Sequence, residues 1–576
     1  MKHSWVIAGP DQELCRRLAE ALNISPLFAQ CLVNRGFSNS TAIDRFLNPR
    51  LKLLADPFLL PNMDKAVTRL LLARSQGEPL VIFGDYDVDG VTSVALLVQM
   101  LGKLGWNVSS YLPHRRDEGY GLSPDGVKNC LEKFPVHLML AVDCGSNATA
   151  TISWLRERGV DVVVLDHHQI SDPAPDAVAL VNPRVGAKAG ATAPFDELCS
   201  AGLSFKLAHA LVKRLREENA PAAFQVDVRD CLDIVALGTI ADLVPLTGEN
   251  RILTSAGLER INANARPGLT ALKQASQCAG VVGSYEVGFQ LAPRLNAAGR
   301  LENAEGALRL LLAEDVATAE PIARALDAQN RERQTIEREI ARQIVTTIRS
   351  RFDPETDFVI VEGNRQWHLG VVGIVASRVL GEFYRPAIVL GDGGGEWRGS
   401  GRSIEGFDLA AALRQCGDLL LRHGGHAMAA GLALAPENLD ALRARLNALA
   451  RVALKPEQLR RTLRLDAEVS LAEMTLERVE ELARLNPTGQ GNAPVRLAIR
   501  GLAHHQPPQR MGKENQHVKF RVTDGRKPLE AVWWNCGEAP LPKIRFDLAF
   551  TPQINDYNGR RSVQLKVLDW REVSLA

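Results

Sequence analysis

Residues 80–94, LVIFGDYDVDGVTSV, place three aspartates at alternate positions, Asp85, Asp87 and Asp89, with Gly90 directly after them. Carboxylates this dense either hold a cation or shape a turn. The opening of DYDVDG matches a helix-flanked calcium loop, which needs a bidentate glutamate at its twelfth position. Counting from Asp85 that position is Leu96, and the β-rich run PLVIF precedes the loop where a helix would be required, so the calcium reading fails. Three further runs end in similar chemistry. LMLAV leads into Asp143, VVVL leads into Asp166, His167 and His168, and an apolar run ending GTIADLVPL carries Asp242. Read as strands of an open parallel sheet, they deliver these groups beyond their carboxyl ends, where ligands bind in such sheets. Asp87, Asp89, Asp143 and His167 then gather at one rim, Asp242 joins from a loop, and Asp85 is expected to support the turn. Mixed carboxylates and imidazole suit Mn²⁺ or Mg²⁺. Carboxylates sharing a site raise one another's pKa, and two divalent cations relieve that. A lone aspartate after a strand is usually a cap or turn residue; the joint pattern is what points to metal.

Two glycine-rich stretches carry a second kind of chemistry. GDGGGEWRGSGRS (391–403) combines open backbone N–H groups with two arginines and two serines, the ingredients of an anion pocket, and equally of a glycine turn with surface arginines. RHGGHAMAAG (422–431) reads either as a functional segment or as a tight connection between elements. In APRLNAAGR, Arg294, Asn296 and Arg300 serve either phosphates or structural ion pairs.

The elements that must position these groups follow from periodicity. Residues 1–75 show helical spacing in DQELCRRLAEALN and MDKAVTRLLLARS, separated by LADPFLLPNM. From 79 onward, short β-rich runs alternate with helical stretches, which argues for a parallel sheet covered by helices on both faces. A helical region ends in a long charged helix up to about 350, solvated and laced with internal ion pairs. A second α/β unit begins at 357, and from about 462 the texture is mostly short strands, as in a small barrel or sandwich. The expected division is a helical segment at 1–75 packing on the first sheet domain at 76–312, a connecting helix at 313–352, a second α/β domain at 353–455 and a β-barrel at 460–576.

Bulk composition agrees. The 576 residues suggest three or four domains; 46% are hydrophobic and 23% charged, as in soluble globular proteins. A net charge of +1 gives no whole-molecule sign of nucleic acid, so any basic surface is local. Nine scattered cysteines with no C-x-x-C pair argue against zinc fingers and disulfide frameworks and fit a reducing cytoplasm. No apolar signal core or membrane span is expected.

DYDVDG, VDCG, LDHHQ and GTIADLVPL together resemble the four motifs of the DHH phosphoesterase superfamily, and GSGRS (399–403) with GGHAMAAG (424–431) resemble its partner DHHA1 domain. HRRDEGYGLSP (114–124), APRLNAAGRL (292–301), WHLGVVGIVASR (367–378) and TGQGNAPV (488–495) extend the likeness over nearly the whole chain, to the bacterial single-strand-specific 5′→3′ exonuclease branch, whose C-terminal domain is an OB-fold. The resemblance implies that Asp87, Asp89, Asp143, His167 and Asp242 are metal ligands for two Mn²⁺ or Mg²⁺, with Asp143 and Asp242 as bridging candidates, and that His168 lies near the scissile phosphate. It implies that Arg115, Ser400 and Arg402 hold a 5′ phosphate, that Tyr120 flanks the strand, that His426 faces the active cleft, and that Arg294, Asn296 and Arg300 line the DNA path. Lys519, Arg521 and one of Trp533 and Trp534 would continue that path on the barrel. The implied activity is metal-dependent removal of 5′-mononucleotides from single-stranded DNA in repair and recombination, by a monomer partnered with a single-strand-binding protein and a helicase. Cys144 stands where the family commonly has asparagine. A phosphodiesterase for short RNA or cyclic dinucleotides would lack the barrel, a pyrophosphatase acts on inorganic substrates, and a non-catalytic single-strand-binding replication scaffold would show broken aspartate motifs.

Overall fold

In the computed structural model of the chain, residues 3–573 are described apart from 10, 116, 187–194, 264, 538 and 558. Arg116 of the HRRDEGYGL segment therefore lies outside the described residues. The chain divides into two compact units, one of residues 49–453 with 489–491, the other of residues 1–48, 454–488 and 492–576.

The first unit is built on a five-stranded parallel sheet. Its strands are β1 (Leu80–Gly84), β2 (Val108–Tyr111), β3 (Leu138–Val142), β4 (Asp161–Leu165) and β5 (Ala179–Val181), in spatial order β2-β1-β3-β4-β5. Helices cover both faces, so β1 and β3 are buried at every residue and read as unbroken apolar runs. Alternation assigns the side chains to two cores: Leu80, Ile82, Leu138, Leu140 and Val142 face one, Val81, Phe83, Met139 and Ala141 the other. The order reverses between β1 and β3, which opens a crevice at their carboxyl ends.

Four helices concern the site: α1 (Val88–Lys103), which follows β1, then α2 (Ser200–Glu217), α3 (Leu232–Ala241) and α4 (Gly248–Ala263). The apolar run before Asp242 is α3 and not a strand. LDIVALGTIA is buried at all but its last position, and a helix that is apolar all round carries no helical periodicity to distinguish it from a buried strand. After α5 (Ala292–Leu301), the 34-residue helix α6 (Val316–Arg349) leads to a second, mixed sheet. Its strands are β6 (Ile360–Gly363), β7 (Ala387–Asp392), β8 (Trp397–Arg402), β9 (Leu420–His426) and β10 (Ala429–Leu434), in order β9-β10-β8-β7-β6, with α7 (Val372–Phe383) packed on it. The long helix is only partly the solvated rod expected. Arg324–Glu320 is exposed, whereas Glu337 is buried between Arg333 and Arg378.

The second unit holds a closed five-stranded barrel of β11 (Leu497–Met511), β12 (His517–Thr523), β13 (Leu529–Trp533), β14 (Arg545–Tyr557) and β15 (Arg560–Glu572), closed by pairing of β11 with β14. Trp533, the last residue of β13, packs against its core, while Trp534 lies in the turn that follows and is exposed. The helical segment divides differently from the expectation that 1–75 packs on the first sheet domain. Leu18, Phe28, Leu32, Ile43 and Phe46 share a core with Leu497, Phe520, Phe546 and Trp570 of the barrel, and Ser4–Ile7 pairs in parallel with Thr462–Leu465. Only the later part, with helix Met63–Gln76, covers the parallel sheet. Amphipathic spacing shows that a helix has an apolar face but not which surface it buries.

Gly257 of α4 lies against α3, where a β-carbon would collide with the Leu232 carbonyl oxygen and stand 2.5 Å from the Ala236 methyl. Gly257→Ala is expected to cost about 1–3 kcal/mol by overpacking, read as a melting temperature several degrees below wild type; an unchanged melting temperature would show that these helices can separate freely.

Candidate metal centre

Asp85, Asp87 and Asp89 lie where β1 runs into α1. Asp87 is the N-cap of α1, and its Oδ1 accepts from Asp89 N at 2.9 Å and Gly90 N at 3.1 Å. Gly90 is required by space, because a β-carbon there would lie 2.7 Å from the Asp85 backbone nitrogen and closer still to its carbonyl oxygen. Asp143 follows β3 on the other side of the crevice with φ +61°, a left-handed conformation that costs a non-glycine residue about 1–3 kcal/mol.

His167 closes the group. Its Nε2 lies 3.5 Å from Asp143 Oδ1, 3.7 Å from Asp242 Oδ2 and 3.9 Å from Asp89 Oδ2, and neither Nε2 nor Asp242 Oδ2 has a hydrogen-bond partner. Asp85, Asp87 and Asp143 form a second set whose ligand oxygens lie within 4.8 Å of one another, and the 3.5 Å approach of Asp143 Oδ1 to His167 Nε2 links it to the set of Asp89, His167 and Asp242. Asp242, at the carboxyl end of α3, joins only the first. Asp85 is more than a turn residue: it is buried in the second set, with Oδ1 lacking a hydrogen-bond partner.

Burial, then neighbouring carboxylates, pushes Asp85, Asp143 and Asp242 upward, Asp242 to about 9. Asp89 is likewise raised by burial, against the pull of His167. Orphaned buried oxygens, an orphaned imidazole nitrogen and mutual repulsion fit a pair of hard divalent cations of the Mn²⁺ or Mg²⁺ kind.

His168 points elsewhere. Its Nδ1 meets Asp166 Oδ1 at 2.7 Å and its Nε2 lies 3.2 Å from the Tyr120 hydroxyl. Asp166 also accepts from the backbone nitrogens of Ser146, His167 and His168. Although burial opposes it, these bonds hold the Asp166 carboxyl well below the usual range; burial likewise opposes the His168 shift, but Asp166 raises that imidazole.

A group of arginines lies near the aspartate loop. Arg402 Nη1 donates to Ser400 Oγ at 2.7 Å, and a β-carbon on Gly373, in the first turn of α7, would lie 3.1 Å from both side chains; the amino end of that helix has no side-chain cap. Arg402 is lowered by burial and by Arg115; Arg300 is lowered to about 10 by burial, then Arg115 and Arg333. Arg115 lies 5.2 Å over the Tyr86 ring, which meets Tyr120 edge-on. A cleft of about 850 Å³ is lined by Tyr120, His168, Arg398, Arg422 and His426, among others.

Two predicted DNA-path residues are engaged otherwise. Arg294 is paired with Asp327 of α6 at 2.9 Å, and Asn296 Oδ1 accepts from Val88 N at 3.1 Å, pinning the aspartate loop. Cys144 is buried and its thiol raised by burial, so it lies beside Asp143 as a neutral packing group.

Family comparison assigns residues 79–239 to the DHH family N-terminal domain, 356–451 to the DHHA1 domain and 465–569 to the RecJ OB domain. The single-stranded-DNA-specific exonuclease RecJ of Bacillus subtilis strain 168 is 38% identical over 99% of this chain and 71% of its own length. The chain belongs to the RecJ family. The Escherichia coli K12 RecJ is 34% identical over 94% of this chain and 95% of its own. The crystal structure of RecJ with Mn²⁺ from Thermus thermophilus superposes with a TM-score of 0.82 at 33% identity, covering 99% of this chain and 80% of that one; its Mg²⁺ complex gives 0.77 at 31% identity, covering 99% and 79%. Among the described residues, no helix of this RecJ-family chain is long and apolar enough to cross a membrane.

The raised carboxyls set a pH dependence. In the metal-free protein they keep protons that the unfolded chain has released. Their stabilising contribution is full below the unfolded carboxylate range and is lost as pH rises through the folded values, up to about 9 for Asp242. The melting temperature of metal-free protein is expected to fall between about pH 4, the unfolded carboxylate range, and about pH 9, and the gain on adding saturating Mn²⁺ to grow over the same range. A gain independent of pH would contradict this electrostatic account.

Proposed function

We propose that this protein is a metal-dependent exonuclease that degrades single-stranded DNA from its 5′ end and releases 5′-mononucleotides. The observation that carries this reading is the pairing of two ligand sets, linked by the contact of Asp143 with His167, with a group of arginines that has no carboxylate ion pair among the described residues.

Asp87, Asp89, Asp143, His167 and Asp242 would hold the cations. Bound there, the cations supply an activated water and neutralise charge on the phosphate. His168, oriented through Nδ1 by Asp166, presents Nε2 to the cleft as a donor to a phosphate oxygen. Arg115, Ser400 and Arg402 clamp the terminal 5′ phosphate and thereby set which phosphodiester reaches the metals. Arg300, which shares the field of Arg115 and Asp87, supports that pocket from within. Tyr120 and His426 line the strand's route, while Arg294 and Asn296 act by holding α5 and the aspartate loop in place. Repair and recombination, with a single-strand-binding protein and a helicase as partners and a cytoplasmic monomer as the working form, fit this activity.

Purified protein with Mn²⁺ is expected to shorten 5′-phosphorylated single strands labelled at the 3′ end, releasing mononucleotides, and to leave blunt duplex intact. Asp143→Ala is expected to abolish cleavage; metal-loaded wild-type protein inert on every single strand would refute the reading. Arg402→Ala is expected to lower kcat/KM on 5′-phosphorylated strands by about 10–100-fold, the loss of a charge-assisted hydrogen bond of about 1.5–3 kcal/mol, with a much smaller effect on 5′-hydroxyl strands. Equal losses on both would place the 5′ phosphate elsewhere.

A further inference from the structure

The first turn of α2 joins the elements that carry the metal ligands. Its N-cap, Cys199, makes no side-chain capping bond to its own helix. The exposed amides are met instead by Asp89 from α1: Ser200 N donates to Asp89 Oδ2 at 2.7 Å and Ala201 N donates to Asp89 Oδ1 at 2.8 Å. Both oxygens of that carboxylate are thus held in plane by the positive end of an 18-residue helix. The Ser200 hydroxyl then donates to Asp143 Oδ1 at 2.9 Å, reaching the carboxylate that links the Asp85–Asp87 set to His167. Cys199 Sγ lies 3.6 Å from Thr239 Oγ1 on α3, the helix that ends at Asp242. Close approach of α3 depends on Gly238, where a β-carbon would stand 2.6 Å from Ala201 Cβ and 3.0 Å from Asp89 Oδ1.

We infer that Ser200 is a positioning residue for the metal centre: through one hydroxyl and one amide it sets the spacing and orientation of Asp143 and Asp89, and so the affinity for the cations. This rests on the reading that Asp89 and Asp143 hold metal. Among the described residues Ser200 is the side chain that donates a hydrogen bond to Asp143. Asp143 has an unfavourable backbone conformation and lies among other carboxylates that repel it, so a fixed donor decides which rotamer it keeps when the site is empty. Groups that orient ligands in this way typically change metal affinity by about 10–100-fold when removed.

The test is Mn²⁺ binding to the full-length protein by calorimetry and by the loss of the free-ion EPR signal, with single-strand cleavage measured across Mn²⁺ concentration. Ser200→Ala is expected to weaken Mn²⁺ binding by about 10–100-fold and to regain most of its kcat at high Mn²⁺, while Ser200→Thr, which keeps the hydroxyl, stays within a few-fold of wild type. Wild-type affinity in Ser200→Ala, or equal weakening in both variants, would overturn the inference. Should Ser200→Ala fail to fold, Ser200→Thr against Ser200→Val, matched in shape and differing in the hydroxyl, makes the same comparison. Asp143→Ala separates the two levels. If it keeps full Mn²⁺ binding, the ligand reading itself fails; if it loses metal while Ser200→Ala does not, only the positioning role fails.

Discussion

The buried cluster of carboxylates is the constraint around which the rest of the first unit is arranged. Asp85, Asp89 and Asp143 are almost wholly removed from water, and together with Asp87 and Asp242 they form a concentration of negative charge that no lysine or arginine ion pair among the described residues neutralises. Such a group is stable only if protons or cations replace the lost hydration. The structure prepares for the second solution. It leaves His167 Nε2, Asp242 Oδ2 and Asp85 Oδ1 without hydrogen bonds, and it directs the available donors to Asp87, Asp89 and Asp143, fixing those carboxylates in place.

The surrounding architecture follows from holding those groups still. Strand order places the ends of β1 and β3 on either side of a switch point, so the motif aspartates and Asp143 face one another without a long loop. Helix amino ends are then aimed inward at charge. Asp87 caps α1, Asp89 caps α2, and the uncapped amino end of α7 adjoins Ser400 and Arg402. The same backbone dipole thus meets a protein carboxylate in one place and, in the other, the serine and arginine proposed to hold a phosphate.

Much of the site was legible because buried parallel strands leave a distinctive pattern. Continuous apolar runs that end abruptly in Asp143 or in Asp166-His167-His168 point to polar groups collected at a sheet rim, and the structure brings those residues together with Asp87, Asp89 and Asp242. What the pattern missed was set by tertiary packing. Helix α3 looks like a strand because it is buried on every side. Asp85 looks like turn chemistry, but it is buried, its carboxylate accepts from the Tyr86 and Gly121 amides, and Gly90 approaches its backbone, none of which its neighbours in sequence announce. Residues 1–48 join strands more than 400 positions away, a pairing that no local periodicity encodes.

Arginine shows the same limit from the other side. Arg294, Arg300 and Arg402 are equivalent letters in sequence, yet their neighbours separate them. Arg294 meets Asp327 and is neutralised. Arg300 and Arg402 are partly buried near Arg115, so burial and then the like charge lower their proton affinity, and among the described residues no carboxylate forms an ion pair with either. Holding such cations close together without a partner is unfavourable, and an incoming dianionic phosphate relieves it, as the cations relieve the carboxylates next door. The site thus holds two opposite electrostatic deficits side by side, and a phosphorylated strand end with its divalent ions is the kind of ligand that satisfies both at once.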